Sequence, residues 1–341
     1  MKTIVKIITS CMFILISCAG PKKGMVGPDK QQSWRAMHLI GYNQNRSLED
    51  FKKIIPALAE KGINVFILEV DYHFQYVSHP ELRQGDKQIT EQGAKRFTSL
   101  CRKYDIRVIP EFQCFGHQSW KEETFPLLTC YPEFDITPGV FPENKDIYCR
   151  EWNPLHPGVH KIIFDLIDEL IEAFNADAVH VGMDEVFLIN NEHSVIKDKD
   201  PANIFAKAVN DFYHHLVEEK GVEMLMWGDR LINGNQYDYG EWESSVNGTA
   251  GAIDKIPRDI IICDWHYEIR DTYPSIEMFI KKGFRIIPAS FRNVEACKKL
   301  INYSQKIDNP KILGHMFTSW SRLEKPLEYP PLKKCISLLD N

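Results

Sequence analysis

From residue 34 onward, short β-branched runs alternate with segments of helical period, and this alternation constrains the chain more than any other feature of it. Eight runs are legible: Arg35 to Ile40, Asn64 to Val70, Arg107 to Glu111, Ala178 to Asp184, Glu223 to Trp227, Ile260 to Trp265, Phe284 to Pro288 and Ile312 to Ser319. Most are continuously apolar, as parallel strands buried on both faces should be. The segments between them carry helix punctuation. Ser47 is placed to cap a helix bearing Leu48, Phe51, Ile54, Ile55 and Leu58 that stops at Gly62. A stripe from Val159 to Phe174 faces a core, and so does one from Phe205 to Leu216 opened by Asp200-Pro201. Eight such units predict an α/β fold, a (β/α)8 TIM barrel in a single domain, with an open parallel sheet as the alternative. With 341 residues, 44% of them hydrophobic, the chain has enough apolar material to fill that core. No GxGxxG or P-loop follows any run, so nucleotide binding has no foothold.

The N-terminus reads as an address. Lys2 and Lys6 precede the apolar run Ile7 to Ser17, which is short for a bilayer span and has the layout of a secretory signal. Leu15-Ile16-Ser17-Cys18 resembles the bacterial lipobox, in which the cysteine becomes a lipidated N-terminus. The expected organisation is a lipoprotein signal peptide over 1–17, a polar tether over 18–33 following lipidated Cys18, and the barrel over 34–341. The expected location is the bacterial cell envelope, on the outer membrane or periplasmic face, with membrane contact through the lipid anchor only. The formal charge is -6, and removal of the two leader lysines makes it more negative, which argues against a nucleic-acid partner. Past Cys18 seven cysteines remain, an odd number without CxxC spacing, so a zinc ribbon is not supported; Cys114, Cys130 and Cys149 share one loop and are the candidates for a bridge.

In a barrel of this kind the reactive end is the C-terminal end of the strands. Six of the seven tryptophans fall at or beyond those ends: Trp120, Trp152, Trp227, Trp242, Trp265 and Trp320. Flat indoles gathered at one rim suit the C–H faces of pyranose rings, so carbohydrate is the expected ligand class. The fourth run ends His180-Val181-Gly182-Met183-Asp184-Glu185. Two adjacent acids at a buried strand end repel and desolvate each other, which predicts one neutral acid and one anion. That division suits glycosidic bond cleavage. Glu69, Asp71, Glu111, Gln113, His117, Asp229 and Asp264 end neighbouring strands and converge on the same rim.

His180 to Glu185 resembles the H-x-G-x-D-E motif of glycoside hydrolase family 20, the β-N-acetylhexosaminidases. Pro110-Glu111-Phe112-Gln113-Cys114-Phe115-Gly116-His117 is similar to that family's P-E-[IF]-D-x-P-G-H segment, and the stretches Asn64 to Leu82 and Gly314 to Trp320 match it less specifically. The resemblance implies retaining hydrolysis of a terminal β-linked N-acetylhexosamine (GlcNAc or GalNAc) from a glycan, without metal or organic cofactor, with the substrate's own acetamido oxygen as nucleophile. It implies Glu185 as general acid and base, Asp184 orienting the 2-acetamido group, and Asp71 and His117 supporting the acid. It places Arg35 on sugar hydroxyls and Trp227, Trp265 and Trp320 around the acetamido pocket. Three positions depart from the pattern. Phe291-Arg292-Asn293 stands where a Tyr-x-Asp is expected, Arg322 where an acid is expected, and Gln113 where an Asp is expected. Tyr267 is the candidate to replace the missing tyrosine. The residues leave two alternatives open: a retaining glycosidase using Asp264, Asp229 or Glu69 as nucleophile, and a lipid-anchored glycan-binding protein with a degenerate barrel.

Overall fold

The computed structural model describes residues 33–340, so the expected signal peptide, Cys18 and all but the last tether residue lie outside the described residues. Eight parallel strands close into a barrel: Trp34–Leu39, Val65–Glu69, Arg107–Cys114, Ala178–Gly182, Glu223–Trp227, Ile261–Trp265, Arg285–Ser290 and Gly314–Phe317. They are called the first to eighth strands below. Each pairs with its neighbour in sequence, and the first closes on the eighth with Trp34 opposite Gly314 and Met37 opposite Phe317. Closure needs a glycine there. A Cβ on Gly314, whose φ is 145°, would sit 2.0 Å from the Trp34 carbonyl oxygen. The open-sheet alternative is thereby excluded.

Two apolar layers follow from the strand period of two. Met37, Leu39, Phe66, Leu68, Val179 and Val181 face outward onto the helices. Ala36, Val65, Ile67, Ile109, Leu225 and Cys263 face the axis. The same alternation carries His38, Glu69, Glu111 and His180 into the inner rows toward the C-terminal end, and that places acids inside the barrel.

Most helices lie where periodicity put them, at Val159–Phe174 and Pro201–Tyr213, the second capped by the Asp200 carboxylate accepting from Ala202 N–H at 2.9 Å. The first helical segment differs from expectation. It begins at Asn45 after Gln44, with Ser47 inside the first turn accepting from Gln44 N–H at 3.1 Å, and it breaks before a second helix at Ile55–Glu60 where Pro56 removes a donor. The third strand runs three residues past its expected end, to Cys114, with a register irregularity against the fourth strand between Glu111 and Cys114. Among the described residues no helix is long and apolar enough to cross a membrane, and the seven cysteines are free thiols, so no bridge joins Cys114, Cys130 and Cys149.

Candidate active site

The floor of the site is a buried acid. Glu111, fully enclosed, has Oε2 2.8 Å from His38 Nε2 and Oε1 2.9 Å from His180 Nδ1, and it accepts from the Trp227 indole N–H at 3.1 Å. Burial opposes its charge, but His180 and His38 outweigh that penalty and hold the carboxyl well below its usual range. Trp227 is therefore committed to the floor and does not line the cavity above it, a correction to its expected place as a pocket wall.

Above this floor the fourth strand turns sharply. Gly182, Met183 and Glu185 have φ of 64°, 74° and 50°, a run of left-handed backbone that aims Asp184 and Glu185 into one hollow. Gly182 leaves room for Gln113, since a Cβ there would meet Gln113 Oε1 at 1.5 Å. Gln113 uses that room to donate from Nε2 to Asp184 Oδ1 at 2.9 Å. The third strand's own corner, left-handed at Phe115 and His117, swings the imidazole between the two acids. His117 Nε2 stands 3.3 Å from Asp184 Oδ2 and 3.2 Å from Glu185 Oε2, and Nδ1 lies 3.5 Å from Cys149 Sγ. Burial disfavours the imidazolium, yet Asp184 and its neighbours raise the His117 pKa well above normal. Reciprocally, burial works against ionised Asp184, but His117 and the Gln113 amide prevail and its pKa is lowered. Asp184 is thus the anion. Burial and neighbouring acids push Glu69 well up, and burial pushes Asp71 to about 7 although Gln113 N–H donates to it at 2.7 Å.

Asp229 couples the acids to the wall. Its Oδ2 accepts from Glu185 N–H at 2.9 Å and from Arg230 Nε at 2.6 Å, and its Oδ1 accepts from the Trp265 indole at 3.3 Å. Burial raises its pKa to about 6 against the pull of Arg230. The cavity encloses about 470 Å³ and is lined by Asp71, His117, Asp184 and Glu185 with Trp265, Tyr267 and Trp320. Trp320 donates its indole N–H to the Tyr267 hydroxyl at 2.8 Å, and the Trp265 and Tyr267 ring centroids are 4.8 Å apart. Glu185 keeps 13% of its side-chain surface exposed and Asp184 only 5%, so the former is the acid that water reaches more readily.

Arg35 is at the wrong end. It is the second residue of the first strand, ion-pairs with Asp340 at 2.8 Å and donates to the Leu339 carbonyl at 2.9 Å, because the strand enters the barrel at the N-terminal face. Asp264 does not line the cavity either. It accepts from Ser275 Oγ at 2.8 Å in a buried group with His266.

Comparison with known proteins gives the arrangement a family. The catalytic-domain profile of glycosyl hydrolase family 20 matches residues 33–323. The chain belongs to glycosyl hydrolase family 20. A β-hexosaminidase of Akkermansia muciniphila is 31% identical over 181 residues, covering 48% of this chain and 36% of that protein. A β-hexosaminidase of Porphyromonas gingivalis is 25% identical over 155 residues, 41% of this chain and 19% of that protein. The chain therefore spans about a third or less of these curated relatives through the matched regions. The crystal structure of a Flavobacterium johnsoniae chitobiase superposes with a TM-score of 0.62 at 17% identity, over 84% of this chain and 44% of that one, a likeness of fold.

Within this family 20 domain the departures acquire partners. Gln113, in place of an acid, supplies Asp184 with a neutral donor instead of a second repelling charge. Asn293 accepts from Glu295 and Ala296 N–H as a helix cap, and Phe291 packs on Tyr267 with centroids 5.4 Å apart. Arg322 lies over the Tyr42 ring, outside the cavity. Two groups among the described residues bring possible metal ligands within 4.8 Å: His38 with Glu69 and Glu111, and His117 with Asp184 and Glu185. In both a histidine nitrogen already faces carboxylate oxygen. Sequence reasoning missed Tyr148, whose hydroxyl faces Glu185 and whose pKa rises through burial and then that acid's charge, and it missed Cys149 beside His117. Both lie on a loop with no regular period, where only the sheer number of aromatics pointed to a role.

Proposed function

We propose that the domain is a retaining β-N-acetylhexosaminidase acting on glycans that end in N-acetylglucosamine or N-acetylgalactosamine. The observation that carries this is His117 set between Asp184 and Glu185 on the rim of an aromatic-walled cavity, in a chain of family 20. Anionic Asp184 would accept the acetamido N–H and hold the amide so that its oxygen faces the anomeric carbon. That oxygen then forms the new bond while the glycosidic C–O bond breaks, and Glu185 passes its proton to the departing oxygen. Water then attacks the anomeric carbon from the face the leaving group vacated, the bond to the acetamido oxygen breaks, and the water's proton passes to Glu185, which restores the acid. An intramolecular nucleophile needs orientation and charge compensation only, which is what fixed side chains in a dry cavity provide. Trp265 and Trp320 would wall the ring and acetamido methyl. Tyr267, fixed by Trp320, would donate to the acetamido oxygen in place of the absent tyrosine. No cofactor enters this scheme, and a protein nucleophile has no good position: Asp264 is out of reach, Glu69 favours its neutral form, and Asp229 is occupied by Arg230 and Trp265.

The test is hydrolysis of aryl β-N-acetylglucosaminide and galactosaminide, with retention followed by NMR. A thiazoline mimic of the oxazolinium is expected to inhibit competitively, and a 2-fluoro sugar is expected to leave no covalent adduct; a trapped adduct would overturn the assignment. Envelope anchoring through Cys18 belongs to the same proposal. Cys18→Ala is expected to move the protein from the membrane fraction to the soluble one.

A further inference from the structure

Behind the cavity wall lies a buried charged group that the scheme above does not use. Just past the end of the sixth strand His266 is wholly enclosed, as are Asp264 and Ser275, and Glu243 is nearly so. His266 Nδ1 stands 2.8 Å from Glu243 Oε2, while its Nε2 stands 2.8 Å from Ser275 Oγ and 3.2 Å from Asp264 Oδ1. Burial opposes an imidazolium there, but Asp264 and Glu243 prevail and raise its pKa to about 9. At neutral pH both ring nitrogens therefore donate. A buried ion group of this kind adds little net stability, so its geometry is the informative part.

That geometry leads to one wall residue. The second Glu243 oxygen, Oε1, accepts from Tyr267 N–H at 3.0 Å. The segment is thus gripped at two successive residues, at the His266 side chain and at the Tyr267 main chain. The grip has a fixed base. Arg230, wholly buried, donates from Nη2 to the carbonyls of Glu241 at 2.6 Å, Trp242 at 2.9 Å and Ser244 at 2.8 Å, on both sides of Glu243. At the far end of the tyrosine, the Trp320 indole donates to the hydroxyl at 2.8 Å. An indole N–H can only donate, so the hydroxyl accepts there and keeps its own hydrogen for another acceptor. Neither Glu243 nor His266 lines the cavity, whereas Tyr267 does.

We propose that Glu243, oriented by His266, is a positioning residue that sets the Tyr267 hydroxyl against the substrate's acetamido oxygen, the acceptor that Phe291 leaves without its expected tyrosine. Both residues act through Tyr267 and neither meets the sugar. The inference rests on the hydrolase reading and deepens it by naming what holds the replacement donor in place.

The experiment is a double-mutant cycle on an aryl β-N-acetylglucosaminide with Tyr267→Phe, Glu243→Ala and the pair, with circular dichroism as the check on folding. Each single change is expected to lower kcat about tenfold with KM within about threefold, and the pair is expected to stay within about twofold of the slower single variant. Glu243→Gln keeps an acceptor for Tyr267 N–H and is expected to recover most of the loss. The cycle is repeated with Glu243→Asp, which keeps the charge but whose shorter arm cannot reach both partners, and the same pattern is expected. Losses that multiply in the pair, or wild-type kcat in Glu243→Ala, would overturn the positioning role. Failure of the wild type to hydrolyse the glycoside would instead defeat the hydrolase reading. A fluorinated tyrosine incorporated at position 267 then judges positioning without turnover. One narrow fluorine resonance that broadens or splits in Glu243→Ala and is restored in Glu243→Gln supports the proposal, and a resonance indifferent to Glu243→Ala overturns it.

Discussion

The two ends of this barrel handle charge in opposite ways. At the N-terminal face Arg107 bridges Asp177 and Glu223, both at 2.8 Å, Arg285 reaches Glu223 at 2.7 Å, and Arg35 meets Asp340. Cation and anion are matched there in partial contact with solvent. At the C-terminal face Glu69, Asp71, Glu111, Asp184, Glu185 and Asp229 gather around His38, His117, His180 and Arg230, mostly out of water. One face is neutral by pairing. The other holds an excess of acid, and the protons it retains are set by burial and by histidine. The contrast teaches that ion pairs on this fold serve attachment at one end and proton placement at the other.

Glu185→Gln should sharpen the contrast most. Removing the transferable proton is expected to lower turnover of an aryl N-acetylhexosaminide about 10³-fold with little change in melting temperature. Turnover at the wild-type rate would remove Glu185 from the acid role. Gly182→Ala comes next, because the new methyl displaces Gln113 and breaks its bond to Asp184 on a left-handed residue. A loss of about 1–3 kcal/mol of stability in chemical denaturation is expected, with a fall in kcat.

The pH responses of the two faces should have opposite signs. Asp71 has a folded pKa raised to about 7 by burial, so its contribution to stability is intact below about 4, the ordinary aspartate value, and is lost as pH climbs through 7. Asp71→Asn is therefore expected to gain melting temperature relative to wild type as pH rises across that window. Glu223 is the reverse case. Burial opposes its charge, but Arg107 and Arg285 lower its pKa, so its contribution is present above the ordinary glutamate value and fades as pH falls through its folded pKa. Glu223→Gln should cost about 1 kcal/mol at neutral pH, and the penalty should shrink in acid. Parallel slopes for these two variants would break the comparison. Smallest of all, Arg35→Ala is expected to cost about 0.5 kcal/mol and leave KM within about twofold, as befits a residue at the far end from the cavity.

Much of this was legible in sequence because buried parallel strands and amphipathic helices announce themselves by composition and period. Asp184, Glu185, His117, Asp71, Trp265, Tyr267 and Trp320 stood out because they sit at or just beyond strand ends, where the barrel rule assigns chemistry, and all seven line the one cavity. Arg35 and Trp227 were misplaced for different physical reasons. Arg35 lies in the first two residues of its strand, so its height in the barrel puts it at the entry face. Trp227 closes its strand and points inward, but the row it occupies is one layer below the cavity, and only contact with Glu111 shows this. Tyr148, Glu243 and Cys149 were invisible as site components, because their placement comes from loop geometry fixed by tertiary hydrogen bonds, and such bonds have no sequence period.

The anchoring of Trp242 separates two tasks that many sites entangle. The acids hang from corners of the barrel wall, whereas this indole hangs from a loop clasped by one guanidinium at three carbonyls. Because the guanidinium grips main chain only, the side chain at position 242 can be exchanged, with Arg230 and Glu243 retained, while the loop keeps its path.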